Sequence, residues 1–288
     1  MAELDVRKIS NSITQLHLER KIKVFISSIC GQKKYDTLRK EIKELIEQTQ
    51  LADVYLFEDN WPNFGDYDMN DLVMIVSIMN TTEASSEGIN AKTVYLSTSV
   101  RAVGATKSLY AFAKIQGTDK VINLLEGKEA HEFMNSEPGQ IINTYNKTCE
   151  ARESLIEVDV NGMSGVVNAN NLNVFIVWGD PNKNKKNEVH IVGFLGTEQA
   201  ATALTSDEYY RYKYNENIDN STEEFNNMMW GLMIPKSSFD SYPREGISIM
   251  DAYPQFMNWA KSGGKDVLDW YTLGVNDLLY QGDSAKDK

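Results

Sequence analysis

The sequence predicts a mainly β protein: a β-sandwich or jelly-roll domain preceded by a short β-α-β fragment. Three observations carry this. From Leu72 onward the apolar stretches are short and separated by turn residues, the pattern of sandwiches and jelly rolls. Leu172 to Trp178 and Glu188 to Phe194 flank the polar loop Gly179–Asn187, which reads as a hairpin. Before residue 54 the pattern is different, with one apolar run, one amphipathic helix and a second run.

In order, residues 1 to 20 form a weakly patterned lead-in, and Ile22 to Ser28 reads as a buried strand. Tyr35 to Gln50 carries Leu38, Ile42, Leu45 and Ile46, the i, i+4, i+7, i+8 stripe of an amphipathic helix. Val54 to Phe57 is a second strand, and the three together make β-α-β, the unit of parallel sheets. The apolar run Leu72 to Val76 starts the β region. Thr93 to Val103 and Leu109 to Ile115 are expected to pair as a hairpin. Val121 to Leu125 is a short strand and Ala130 to Asn135 a helical turn. Ser154 to Val160 is a strand that Asn161-Gly162 is expected to turn. Thr197 to Leu204 and Glu223 to Asn227 favour helix or turn. Trp230 to Ile234 is apolar and ends at Pro235. Ile249 to Ala260 reads as a helix interrupted by Pro254 and closed by Gly263-Gly264. Asp283 to Lys288 is a polar tail. The expected domains are therefore residues 1–53, residues 54–282 and the tail.

The densest chemistry lies between the strands Val54–Phe57 and Leu72–Val76. Asp66, Asp68 and Asn70 alternate, Asp71 follows, and Glu58 and Asp59 stand just upstream. Hard cations such as calcium take oxygen ligands from closely spaced Asp and Asn side chains and from carbonyls. Carboxylates packed this closely repel one another unless a cation neutralises them. The run is not an EF-hand, which places Gly after the third ligand and a distant Glu at its end. Oxygen-only ligands favour calcium over zinc or copper. The competing reading is an acidic solvated turn, with Asp and Asn acting only as turn formers. The expected metal ligands are Asp66, Asp68, Asn70 and Asp71, with Glu58 or Asp59 and backbone carbonyls.

The same stretch, Phe57-Glu58-Asp59-x-Trp61-Pro62-x-x-Gly65-Asp66-Tyr67-Asp68-x-Asn70-Asp71-Leu72-Val73, resembles the signature of the LruC-type domain. That domain occurs in surface and secreted proteins of Bacteroidetes and in leptospiral outer-membrane lipoproteins. The similarity continues in Arg101-Ala102-Val103-Gly104-Ala105 and Glu188-Val189-His190. It returns in Asp251-Ala252-Tyr253-Pro254-x-Phe256-x-x-Trp259-Ala260-x-Ser262-Gly263-Gly264 and Asp269-Trp270-Tyr271, so it covers about residues 55 to 281. The resemblance implies a β-rich, uncharacterised domain without established catalysis, at the cell surface or outside the cell. The opening is similar to another family. Lys23-Val24-Phe25-Ile26-Ser27-Ser28 and the helix from Tyr35 resemble the first β-α-β of TIR-like bacterial signalling domains, over about residues 21 to 58. The remaining strands and the later glutamate of NAD-cleaving members do not follow. The opening therefore reads as a truncated fragment in fusion with the β domain, joined near Val54–Glu58.

Composition excludes several classes. The chain of 288 residues has 42% hydrophobic and 24% charged residues, ordinary for a globular protein, and a net charge of -12. That charge argues against nucleic acid as the main partner. Met1 to Lys21 lacks the apolar segment of a signal peptide, so the chain as written is expected in the cytoplasm, against the location its resemblance implies. No apolar run approaches the ~20 residues needed to span a bilayer. Cys30 and Cys149 read as two buried thiols rather than a disulfide framework, and clustered Cys/His patterns that would suggest zinc are absent.

Three histidines, His17, His131 and His190, are present. Only His190 invites a triad, with Ser97 or Ser164, and a structural role is the better reading. The late aromatics Trp230, Phe239, Tyr242, Tyr253, Phe256, Trp259, Trp270 and Tyr271 suit core packing, with sugar stacking the minority alternative. Tyr209 to Tyr214 is expected at an exposed edge or loop. Asp180, Asn182 and Asn184 echo the alternating oxygens, but Lys183, Lys185 and Lys186 oppose a cation, so that loop is expected to be solvated. The sequence thus predicts a non-enzymatic, calcium-stabilised binding or structural module, with an extracellular glycan or matrix protein as its class of ligand. The alternative is an enzyme, TIR-like and NAD-handling or carbohydrate-active.

Overall fold

The computed structural model describes residues 52–60, 65–85, 88–146, 149–201, 229–235, 239 and 241–281. These belong to a unit that begins at Ala52. The predicted strand Ile22–Ser28 and the helix Tyr35–Gln50 lie outside the described residues. So do Cys30, His17, Tyr209–Tyr214, Glu223–Asn227 and the tail.

The fold is mainly β, with curled antiparallel sheets consistent with a sandwich. The first sheet contains β1 (Ala52–Phe57), β2 (Leu72–Ser85), β3 (Gly88–Val103), β6 (Ile142–Asn143), β7 (Arg152–Ser164) and β10 (Gly231–Pro235). Its order is β10-β1-β2-β3-β6, with β7 also on β3. The second sheet runs β5-β4-β8-β9, from Val121–Asn123, Leu109–Ile115, Leu172–Trp178 and Asn187–His190. One hydrophobic cluster runs through both sheets. The Ser154 hydroxyl of β7 donates to the Leu124 carbonyl (2.6 Å) after β5, which ties the inner face of the first sheet to the second.

Local sequence explains the strands. In β4 Leu109, Ala111, Ala113 and Ile115 alternate buried with half-buried positions, the mark of a strand covered on one face. In β8 six successive residues are buried, as expected of a central strand covered on both faces. A ribbon of β11 (Ser241–Pro243) and β12 (Leu279–Gln281) closes the chain. Between them lie two short helices, α2 (Ile249–Ala252) and α3 (Phe256–Lys261), which follow α1 (Ala130–Met134). The Ser248 side chain caps α2 at the Met250 amide. Pro254 separates α2 from α3 as expected, because proline offers no amide to carry the helix on. Gly263 and Gly264, both at positive φ, end α3 by donating to the Ala260 and Trp259 carbonyls.

The structure corrects several sequence expectations. β3 and β4 do not form a hairpin: β3 pairs with β2, β6 and β7, whereas β4 pairs with β5 and β8. The reason lies in the connection. Gly104 and Ala105 donate to the Asn70 and Asp71 carbonyls (3.1 and 3.4 Å), so the chain is held at the β1–β2 loop and crosses to the other sheet. Asn161-Gly162 is not a turn but an irregularity within β7. Thr93 pairs with Asp159 and Ala91 with Met163, so the ladder shifts there, with Gly162 at φ 92. β9 ends at His190. The next residues leave β8, and the Val192 amide donates to the Gly231 carbonyl of β10. Both edges of β1 carry antiparallel neighbours, β2 and β10.

A candidate cation site at the β1–β2 connection

β1 and β2 pair from Ala52↔Ser77 to Phe57↔Leu72, and the residues between Phe57 and Leu72 return the chain over the end of the pair. Just inside, the register of β2 on β3 shifts between Val73 and Met74, a bulge where the strand receives the loop. Within the loop the backbone alternates. Tyr67 and Met69 take positive φ (57 and 58) and are completely buried. Bulky side chains in this region are strained and need surrounding support. Tyr67 has that support. Its hydroxyl donates to the Met229 carbonyl (2.6 Å), and its ring meets Trp230 and Phe256 edge-on at 5.4 and 6.2 Å. The Ile249 amide donates to the Tyr67 carbonyl (2.9 Å). While Tyr67 and Met69 enter the core, the interleaved acids gather near Glu58 and Asp59.

The structure brings all the acids of the predicted site together. Carboxylate oxygens of Glu58, Asp66 and Asp68 lie within 4.8 Å of one another, and so do those of Glu58, Asp59 and Asp71. Glu58, Asp59 and Asp68 are buried, Asp71 is half-buried and Asp66 is exposed. Several contacts fix them. Asp68 accepts from the Asn70 amide (3.1 Å), the Asn70 side chain (2.8 Å) and the Gly246 amide (2.8 Å). Asp71 accepts from the Asp59 amide (2.6 Å), and Glu58 Oε1 from the Asn60 side chain (3.1 Å). Asn70 links Asp68 to the chain beyond the loop. Its Nδ2 also donates to the Pro243 carbonyl (3.3 Å), and its Oδ1 lies where a Cβ on Gly104 would stand.

Glu58 Oε2 is the exception. It is buried and receives no hydrogen bond. The Asp71 carboxyl lies beside Glu58. Burial pushes Glu58 upward, and the Asp66 charge adds to it. Asp71 is raised by burial, then by the charges of Glu58 and Asp59. Asp68 is pushed up to about 8 by burial and by Asp66, against the amides that bond it. Asp59 is raised by burial, with Lys107 pulling the other way. A buried carboxylate without a partner costs several kcal/mol, so the cluster must either hold protons or hold a cation.

Sequence reasoning missed Lys107, Asn60, Gly104, Glu245 and Gly246 as members of the site. The Lys107 ammonium reaches Asp59 Oδ1 (2.8 Å), the Asp59 carbonyl (3.1 Å) and Asn60 Oδ1 (2.8 Å), and sits 5.0 Å from the Trp178 ring centre. The only sequence signal was the stretch Arg101–Ala105, whose Gly104 packs on Asn70. A Cβ there would stand 2.2 Å from Asn70 Oδ1 and 2.9 Å from Glu245 Oε2.

The other candidates separate from this site. Both ring nitrogens of buried His190 are engaged, Nε2 with Glu188 (2.8 Å) and Nδ1 with Asn173 (3.0 Å). Thr197 donates to Glu188 through its amide and hydroxyl (2.8 and 2.6 Å). In this arrangement the ring nitrogens are taken by Glu188 and Asn173 rather than by Ser97 or Ser164. Asp180 is exposed and accepts from the local Asn182 amide, as expected of a solvated turn. Trp230, Phe239, Tyr242, Tyr253, Phe256, Trp259 and Trp270 are buried, with Tyr271 packed against them, so they form core rather than a sugar-stacking surface. Cys149 is half-buried against the core, not fully buried. Among the described residues, no helix is long and apolar enough to cross a membrane.

Comparison with known proteins gives one family match. The family described as "Domain of unknown function (DUF4842)" matches residues 67–271. No curated protein matches the chain. A solved structure described as "Putative lipoprotein from Bacteroides ovatus" is 17% identical, with a TM-score of 0.46 over 79% of this chain and 74% of that one.

Proposed function

We propose a function from the premise that this chain belongs to the family described as "Domain of unknown function (DUF4842)": it is a non-enzymatic β module whose β1–β2 connection is stapled by calcium. One observation carries the reading. Glu58, whose Oε2 is buried without a donor, is shared by two groups of carboxylates. Calcium accepts carboxylates at 2.3–2.6 Å and tolerates irregular geometry, whereas magnesium demands a tighter octahedron. Bound there, the ion turns repulsion at the mouth of a core hairpin into a bond between the end of β1 and the start of β2. Asn70 orients Asp68 in this reading rather than supplying a side-chain ligand.

The likeness of Phe57–Val73 and Asp251–Gly264 to the LruC-type signature supports a place for the module at the bacterial cell surface or outside the cell. The ligand class proposed there is a glycan or a matrix protein, and a binding screen against both tests it.

Calcium titration against melting temperature tests the staple. Free calcium at about 100 times its dissociation constant adds about 2.7 kcal/mol of stability. Asp68→Ala is expected to abolish most of that gain, and Asp180→Ala to leave it intact. A melting curve that chelator does not change leaves only the acidic turn.

A further inference from the structure

The acids divide into two groups of three, Glu58 with Asp66 and Asp68, and Glu58 with Asp59 and Asp71. Within each group the ligand oxygens lie within 4.8 Å of one another, the spacing of donors around one ion. Glu58 is common to both, is fully buried, and has one oxygen that no donor reaches. We propose that this site holds two calcium ions, bridged by Glu58; the inference rests on the calcium reading above.

Charge balance supports it. Glu58, Asp59, Asp66, Asp68 and Asp71 bring five negative charges, Glu245 beside Asp66 and Asp68 a sixth, and Lys107 on Asp59 brings one positive. A single divalent ion leaves a net charge of minus three in a largely buried cluster, while two divalent ions leave minus one. The donors already in place leave room for both. Lys107 takes Asp59 Oδ1 and the Asp59 amide takes Asp71 Oδ2, so each carboxylate keeps its second oxygen for an ion. Three donors occupy Asp68, one fewer than the roughly four lone-pair sites of a carboxylate. Asp66, the exposed member, places the first ion at the rim, and the second lies on the side of Asp59 and Asp71.

Native mass spectrometry of the full chain, titrated with calcium alone, counts the ions. The expected result is two per chain, with Asp66→Asn and Asp71→Asn each keeping one. Glu58→Gln is expected to weaken both by at least tenfold. One ion on the unaltered chain, with Asp71→Asn unchanged, overturns the bridged pair and leaves the single-ion staple standing. No ion at all overturns both readings. Two ions that survive both Asp66→Asn and Asp71→Asn lie elsewhere and also overturn the proposal. A count below two on the unaltered chain overturns the bridged pair even if a variant fails to fold.

Discussion

Asp68 shows how one side chain sets a pH dependence. Burial and the Asp66 charge hold it at about 8, far above its value near 4 in an unfolded chain. The folded protein without metal therefore binds a proton that the unfolded chain has lost. That stabilisation is full below pH ~4 and is lost as pH rises through about 8. In chelator, the melting temperature is expected to fall between pH 5 and pH 8.5, and saturating calcium is expected to remove much of the fall. An equal fall with and without calcium would separate these acids from the ion. Asp53, buried in β1 and pushed to about 6, adds a smaller decline with the same sign. Calcium should not touch that part, and Asp53→Asn isolates it. Gly104 supplies a steric test at the same scale. Gly104→Ala places a methyl against buried Asn70 and is expected to cost about 1–3 kcal/mol, read from denaturant melts with calcium present. At this scale the sequence was legible where the signal was local. Alternate spacing put Asp66, Asp68 and Asn70 together because Tyr67 and Met69 take the opposite side. Lys107 and Gly246 were invisible, since their partners are brought to them only by long-range folding.

Among the elements, the strands themselves were legible and their partners were not. β8 and β9 announced a hairpin because a short polar loop joins two apolar runs. β3 and β4 have the same look, yet Gly104 and Ala105 are held at the acid loop and the connection changes sheets. No local pattern encodes that hydrogen bond. The pairing of β1 with β10 is equally distant in sequence, and it closes the edge that a parallel strand would need. A truncation tests the independence of this part. A chain of residues 52–288, keeping all of β1, is expected to fold and melt cooperatively, with the same calcium response as the full chain. Insolubility or loss of the cooperative transition would tie residues 1–51 to its folding.

At the scale of the whole molecule, two antiparallel sheets share one core, and the connection between them passes over the acidic hairpin mouth. A net charge of -12 spread over the chain is carried by solvent at most sites, but five of its acids crowd one corner. The central claim is that a cation, and not shared protons, holds that corner. The most direct measurement is a crystal structure of the full chain grown with calcium at about pH 8. The account predicts ion density 2.3–2.6 Å from Glu58 Oε2, with Asp66, Asp68 or Asp71 completing the ligands. Carboxyl pairs touching at about 2.5–2.7 Å, with no density between them, would show protons in place of the metal and contradict it.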